Sequence, residues 1–372
     1  MSVTPVSTAT DLLFQRWTID DDVISLRVWA SGTVHLLRSD HPGRLEIGTA
    51  PACAIRVEDP SHCTSRVHAY LKYMHEHRRW CIVDQSKNGL LIDGEPREKC
   101  LLSPGMEIEL GGGVILIAQS ERLMVLHEAL ARMLGWSAES AAAVDRALRM
   151  VRLAAMRREV LVLCGEVDLA PIAEDLHRLT LTPARPFVLC NPRRRASGDE
   201  ESFTKCAPDG LTAVAQAVGG TVCIYDDRRC PPDVAELLRE LQQPTCRAQL
   251  VVCSKHADKA AIFNSAPVVI PPLGSRKAEL ERIIEGYAND AARRLGLTTF
   301  ALAPAERAWI RERSSATLSE IQTATLRLVA IRRAGTPSGG AALLGISHVT
   351  MLRWLDSRRF PDALRLQYAP LR

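Results

Sequence analysis

The spacing of apolar and polar positions divides the chain into three stretches of different period. From about residue 18 to residue 120 the apolar residues fall in short, often alternating runs: VISLRVW, TVHLLR, RLEIG, AIRVED, RVHAYLKYM, RWCIVD, GLLIDG, MEIELGG and GVILIAQ. These runs are β-branched and separated by Gly, Pro, Asn and Asp, a pattern that predicts a β-sandwich without a helix of useful length. From 121 to 158 the period lengthens to three or four residues in a sequence rich in Ala, Leu, Met and Arg. A helix, a break near Gly135-Trp136-Ser137 and a second helix are predicted there, forming a helical linker and the start of the next core.

Between 159 and 275 apolar strand-like runs (VLVLC, PFVLC, TVCIY, AQLVVCS, PVVIPPL) alternate with helix-like runs (IAEDLHRL, LTAVAQAV, PDVAELLRELQ). Strands separated by helices predict a parallel sheet covered on both faces. From 276 to 334 the pattern is purely helical. Leu280, Ile283, Ile284, Tyr287, Ala288 and Ala291 share one face and Gly296 ends the first helix; further helices follow at Ala305–Arg313 and about Leu318–Arg333. The last stretch, 335–372, holds two short helices around Gly345. The fold class is thus multidomain: a β-sandwich, an α/β parallel-sheet core with a helical lid, and an all-α terminal module.

Composition limits the function classes. With 372 residues and 47% hydrophobic content the chain can bury two or three cores. It has no apolar run of membrane-spanning length, so a cytoplasmic protein without a membrane partner is expected. Its eleven cysteines include no CxxC pair and no neighbouring His ligands, so reduced, mostly buried thiols are expected rather than a disulfide framework or a zinc site. The net charge of +4 is small but uneven. Residues 300–372 contain eleven arginines, no lysine and five acidic residues, a local charge of +6 that favours a nucleic-acid partner at that end.

Within the first stretch, Ile47-Gly48, Ser65-Arg66-Val67-His68, Asp84-Gln85-Ser86-Lys87-Asn88-Gly89 and Leu102-Ser103-Pro104-Gly105 are spaced as in the forkhead-associated (FHA) domain, which this region resembles over about 80 residues. The resemblance implies a phosphothreonine-containing protein partner. It makes Ser65 the phosphate-binding serine and Asn88 the asparagine that holds the peptide backbone, with His68 and Gly89 shaping the loops. One position departs, because Thr49 replaces the arginine usual after the strand glycine. A hydroxyl cannot supply the charge-assisted, bidentate bonds of a guanidinium. Arg44, Arg66 and Lys87 are the candidate replacements, and an unphosphorylated partner is the alternative.

The order Gly165-Glu166, His177, Pro186-Phe187-Val188, Asn191, Gly219-Gly220-Thr221, Leu237-Leu238-Arg239, Pro271-Pro272-Leu273 and Arg276 resembles the AAA+ activators of sigma-54 RNA polymerase over about 200 residues. Against that family the chemical positions are missing. VDLAP stands where the Gly-Lys phosphate cradle belongs, and Pro171 removes a backbone donor. Tyr225 and Asp226 replace the magnesium-binding aspartate and catalytic glutamate, Lys255 the sensor asparagine and Ser319 the sensor arginine. The sigma-54 contact loop is shortened and lacks its motif; the stretch in its place carries Arg193-Arg194-Arg195 and Asp199-Glu200-Glu201, read as a solvated loop. Phosphoryl transfer rests on positioned charge, so these losses together imply a pseudo-ATPase with no cofactor, no catalytic residue and no metal site.

The stretch Ser338–Leu355 is similar to a Fis-type helix-turn-helix, with Ile346, Met351 and Leu355 burying the second helix. The resemblance places Ser347, His348, Val349, Thr350 and Arg353 toward bases or phosphates of double-stranded DNA, with Arg358 and Arg359 on the backbone. Trp354 is read as a packing residue. Fis-type modules commonly pair, which implies a homodimer on a two-fold site. Two functions follow: an enhancer-binding-protein-like transcriptional regulator without catalysis, or an FHA-type interaction scaffold in a Ser/Thr kinase pathway without DNA binding.

Overall fold

The computed structural model describes residues 22–361 apart from 30, 42, 167–168, 182–184, 193–203, 228 and 299. The arginine and acidic triplets at 193–201 lie outside the described residues, as do Val167 and Asp168 of the VDLAP segment and the chain beyond Pro361. The described chain divides into two compact units, residues 1–131 with 137–157, and residues 132–136 with 158–372.

The first unit is a sandwich of eleven strands. One sheet has the order β2(Val34–Leu36)-β1(Ser25–Val28)-β11(Val114–Gln119)-β10(Glu107–Leu110)-β7(Leu90–Ile92)-β8(Glu95–Pro96). The other has the order β4(Ile55–Arg56)-β3(Leu45–Gly48)-β5(Ala69–Met74)-β6(Arg79–Asp84)-β9(Lys99–Leu101). The alternation in sequence becomes alternation in space: Leu45, Ile47, Leu71 and Ile82 point inward with Leu26, Ile108 and Leu116 of the facing sheet, all buried. Two helices follow, α1(Glu121–Leu134) and α2(Ala138–Arg157), separated by Gly135 at φ +125°.

Helix α2 packs against the sandwich through charge as well as apolar surface. Its Asp145, 1% exposed, accepts from both terminal nitrogens of Arg27 on β1, itself 4% exposed. Farther along the helix, Arg152 donates to Pro104 O (3.4 Å) and lies against Gly105, where a Cβ would fall 2.0 Å from its guanidinium. A side chain there would displace that guanidinium, and the φ of +84° favours glycine in its own right.

The second unit centres on a parallel sheet of order β14(Thr204–Ala207)-β13(Phe187–Cys190)-β15(Thr221–Tyr225)-β16(Gln249–Ser254)-β12(Leu161–Cys164)-β17(Pro267–Val269). Four of these strands, β12, β13, β15 and β16, are buried along their whole length, as near-continuous runs of Val, Leu, Ile and Cys demand. Helices α3(Ala170–Thr180), α4(Gly210–Gln216) and α5(Val234–Leu241) connect them. His177 of α3 ties the layers: its Nε2–H donates to Arg185 O (3.0 Å), which leaves Nδ1 to accept from Thr221 Oγ1 (2.8 Å). Burial lowers its pKa, in keeping with a neutral structural imidazole.

Helices α6(Leu280–Arg294), α7(Pro304–Arg313) and α8(Leu318–Ala334) form the helical layer, followed by α9(Pro337–Leu343) and α10(His348–Ser357). The apolar face read for α6 is buried at Ile283, Ile284, Tyr287, Ala288 and Ala291. All eleven cysteines are free thiols; seven are buried and four half-buried. Among the described residues no helix is long and apolar enough to cross a membrane.

Candidate functional site

The loops at one end of the sandwich are built by a chain of backbone bonds. Thr49 N–H donates to Ser65 O (3.2 Å) and Ala50 N–H to Arg66 O (3.0 Å), so the 65–66 segment lies along the end of β3. That approach requires glycine at 48, where a Cβ would sit 2.3 Å from Arg66 O. His68, fully buried, is the junction: its Nδ1 accepts from Ser65 N–H (3.0 Å) and its Nε2–H donates to Gly89 O (3.0 Å). Asn88 closes the second loop, donating from Nδ2 to Cys63 O (2.7 Å), while Ser86 Oγ accepts from Gly89 N–H (2.8 Å).

These bonds bring Ser65, Arg66, Lys87 and Asn88 to one rim. Ser65 is half-buried and the other three are exposed. A half-buried hydroxyl on a loop that also carries an exposed cation, tied to a second loop with another cation and an amide, offers groups that can hold an anion attached to an extended chain. Arg44 is not there. It precedes β3, at the strand end opposite to Thr49, where it pairs with Glu46 (3.0 Å) and covers the ring of Tyr70 at 5.4 Å. The four residues of β3 separate it from Thr49, a span of about 16 Å. Of the three candidate cations, Arg66 and Lys87 share the rim with Ser65.

Asp59 organises the loop that carries Ser65. Its carboxylate accepts from Ser61 N–H (2.9 Å), Ser61 Oγ–H and Thr64 N–H (2.6 Å), and the Ser61 bond leads in holding its pKa far below the usual carboxylate range. Thr64 then donates to Leu110 O (3.2 Å), fastening the loop to the facing sheet. The Asp-x-Ser spacing is a recognisable Asx-turn signal in the sequence.

The FHA domain family matches residues 45–111, which contain every one of these loop residues except Arg44. Residues 45–111 form an FHA domain. Among solved structures, one from a study of phosphothreonine-dependent FHA domain interactions is similar at 25% identity, covering 25% of this chain and 93% of that one with a TM-score of 0.22. The FhaA FHA domain complexed with the intracellular domain of Rv3910 is 25% identical over 25% of this chain and 96% of that one, TM-score 0.22. Mycobacterium tuberculosis EmbR in complex with a low affinity phosphopeptide is 22% identical over 30% of this chain and 29% of that chain, TM-score 0.23. No curated protein matches the chain.

The end of the second unit carries the other predicted residues. Thr336 caps α9 by accepting from Gly339 N–H (3.0 Å), and Ser347 caps α10 by accepting from Thr350 N–H (3.1 Å), with Gly345 at φ +64° in the turn between them. Gly340 lets α9 approach α8, since a Cβ there would meet the Ile331 backbone at 2.9 Å. Met351, Trp354 and Leu355 bury one face of α10, Ile346 is half-buried, and Trp354 meets Trp309 edge to face at 5.5 Å. Ser347, His348, Val349, Thr350 and Arg353 are exposed on the opposite face, and Val349 is 54% exposed. Arg359 is exposed, at φ +50°. Arg358 differs: it is half-buried, lies 5.4 Å over the Trp354 ring and stands 4.0 Å from Glu320.

Proposed function

We propose that the protein is a non-catalytic regulator that docks a phosphothreonine-containing partner on the rim of its FHA domain and duplex DNA on its last helix. The observation that carries the first part is that His68 ties the loop of half-buried Ser65 to the loop that bears Asn88, with Arg66 and Lys87 exposed on those same two loops. Two surface cations offset the missing guanidinium at Thr49 in charge but not in bidentate geometry, so binding weaker than an arginine-bearing rim would give follows. An array of phosphothreonine peptides and their unphosphorylated counterparts tests this: retention of phosphorylated members alone is expected, and equal retention of both contradicts it.

The second part is supported by the exposed helix start at Ser347–Thr350 and by Arg353, which has no acidic partner among the described residues. Arg358, stacked and near Glu320, serves α10 packing more than a phosphate. A DNA affinity that falls with salt and is lost on truncation after Gly335 is the expected outcome; a lack of binding at low salt leaves the interaction scaffold.

The core transmits or supports without consuming nucleotide in this reading. In a parallel sheet the ligand crevice lies beyond the strand carboxyl ends where the connections diverge, here between β12 and β16. The feature supporting the reading is Leu169, 1% exposed, which precedes α3 without a side-chain cap and packs 3.3 Å from the Cβ position of Gly165, against Ile270. Apolar Leu169 beside Gly165, with Pro171 after it, supports a reading without a phosphate cradle there. Tyr225 is covered by Arg229 at 3.4 Å, and Arg229 in turn pairs with Asp227.

A further inference from the structure

The outer face of the β4-β3-β5-β6-β9 sheet plays no part in the rim chemistry above, yet its charge is one-sided. Cross-strand register sets its composition: Leu45 faces Leu71 inward, so Arg44 and Lys72 oppose each other outward, Gly48 aligns with Arg56, Met74 with Arg79, and Val83 with Lys99. Five cations therefore share one face with a single strand carboxylate, Glu46, whose partner is Arg44. Like charges opposite one another on a sheet destabilise it, and Arg44, one residue before β3, continues the register toward Lys72. Lys72 and Lys99 are exposed and have no acidic partner among the described residues.

The face also has relief. Beside Arg44 and Lys72 lies a groove of about 480 Å³, walled by His41, Tyr70, Tyr73 and His75, with Asp40 the one carboxylate in its lining. Its volume is in the range of sites that hold ligands. Tyr70, on this outer face, is already covered by Arg44, and Tyr73 is turned to Trp80 at 5.4 Å, so neither ring is a free platform for base stacking. Cations without open rings suit a flexible chain of carboxylates better than bases.

We propose that this sheet face is a second docking surface of the FHA domain, independent of the phosphate rim, for an acidic segment of a partner protein rich in Asp and Glu. Arg44 belongs to this surface, which gives a role to a candidate cation that the rim does not use. The surface would hold the acidic segment by charge, adding affinity to a partner tethered elsewhere.

The test uses the full chain and a fluorescein-labelled decapeptide of alternating Asp and Glu, followed by anisotropy at low salt. The wild type is expected to bind, Lys72→Glu with Lys99→Glu to weaken binding about tenfold or more, and Lys72→Gln with Lys99→Gln to weaken it less. Ser65→Ala is expected to leave it unchanged, which separates this surface from the phosphopeptide reading. Thermal melts matching the wild type establish that the variants fold. Absence of peptide binding by the wild type, or equal binding by the charge-reversed protein, overturns the proposal. Tighter binding of a duplex oligonucleotide of equal charge through the same two lysines overturns it in favour of nucleic acid.

Discussion

Replacing Asp145 with alanine strips the buried Arg27 guanidinium of its counter-ion. The two side chains are 1% and 4% exposed, Arg27 Nε already lacks a partner, and His127 stands 3.7 Å from the carboxylate without replacing it. Removing one member of such a pair leaves an uncompensated buried charge and costs about 3–5 kcal/mol. For a unit of about 150 residues this lowers the melting temperature by about 10–15 °C. Urea unfolding read by tryptophan fluorescence measures the loss, and hydrogen exchange of the full chain localises it to α2 and β1. Arg27→Met with Asp145→Leu, which removes both charges and keeps volume, is expected to recover most of the stability. A loss below about 1 kcal/mol for Asp145→Ala would mean that water reaches Arg27 and that the helix is not held by this pair.

Other expectations follow from single contacts. Ser65→Ala and Asn88→Ala each weaken phosphothreonine-peptide binding, by about tenfold or more for the serine, while His68→Ala lowers stability as well because its ring bonds the loops of Ser65 and Gly89. Asp175 of α3 bonds Gln322 of α8, and burial pushes its pKa up to about 6 despite Arg178. A carboxyl with a raised folded pKa favours the folded state increasingly as pH falls from above 6 toward its unfolded value, so melting of the second unit should rise over that window. Asp175→Asn should raise it at pH 7.5 by about 1–2 kcal/mol and flatten the pH dependence. Arg353→Ala should weaken DNA binding and reduce the slope of affinity against salt by about one contact, read by anisotropy. Magnesium ATP should neither be turned over nor shift the melting temperature of the full chain.

The strands of the sandwich were legible because a two-residue period survives folding unchanged, and Ser65, His68 and Asn88 because their loops lie at fixed offsets from it. Arg44 was not, since its distance from Thr49 follows from Leu45–Gly48 being an extended strand between them. The helices at 121–157 could be read as helices, but not what they cover: Arg27 and Asp145 are 118 positions apart and neither is apolar. Asp59 was missed although its Asx-turn spacing stands in the sequence, because its importance lies in Thr64 reaching Leu110. Leu169 beside Gly165 emerged only from packing.

Under the proposed function the chain acts by docking, with Ser65 of the FHA rim holding the phosphate. Calorimetric titration of one peptide in its threonine and phosphothreonine forms into the full chain tests it most directly. Binding of the phosphorylated form alone, lost in Ser65→Ala at an unchanged melting temperature, is predicted. Equal affinity for the two forms, or full affinity in Ser65→Ala, would contradict it.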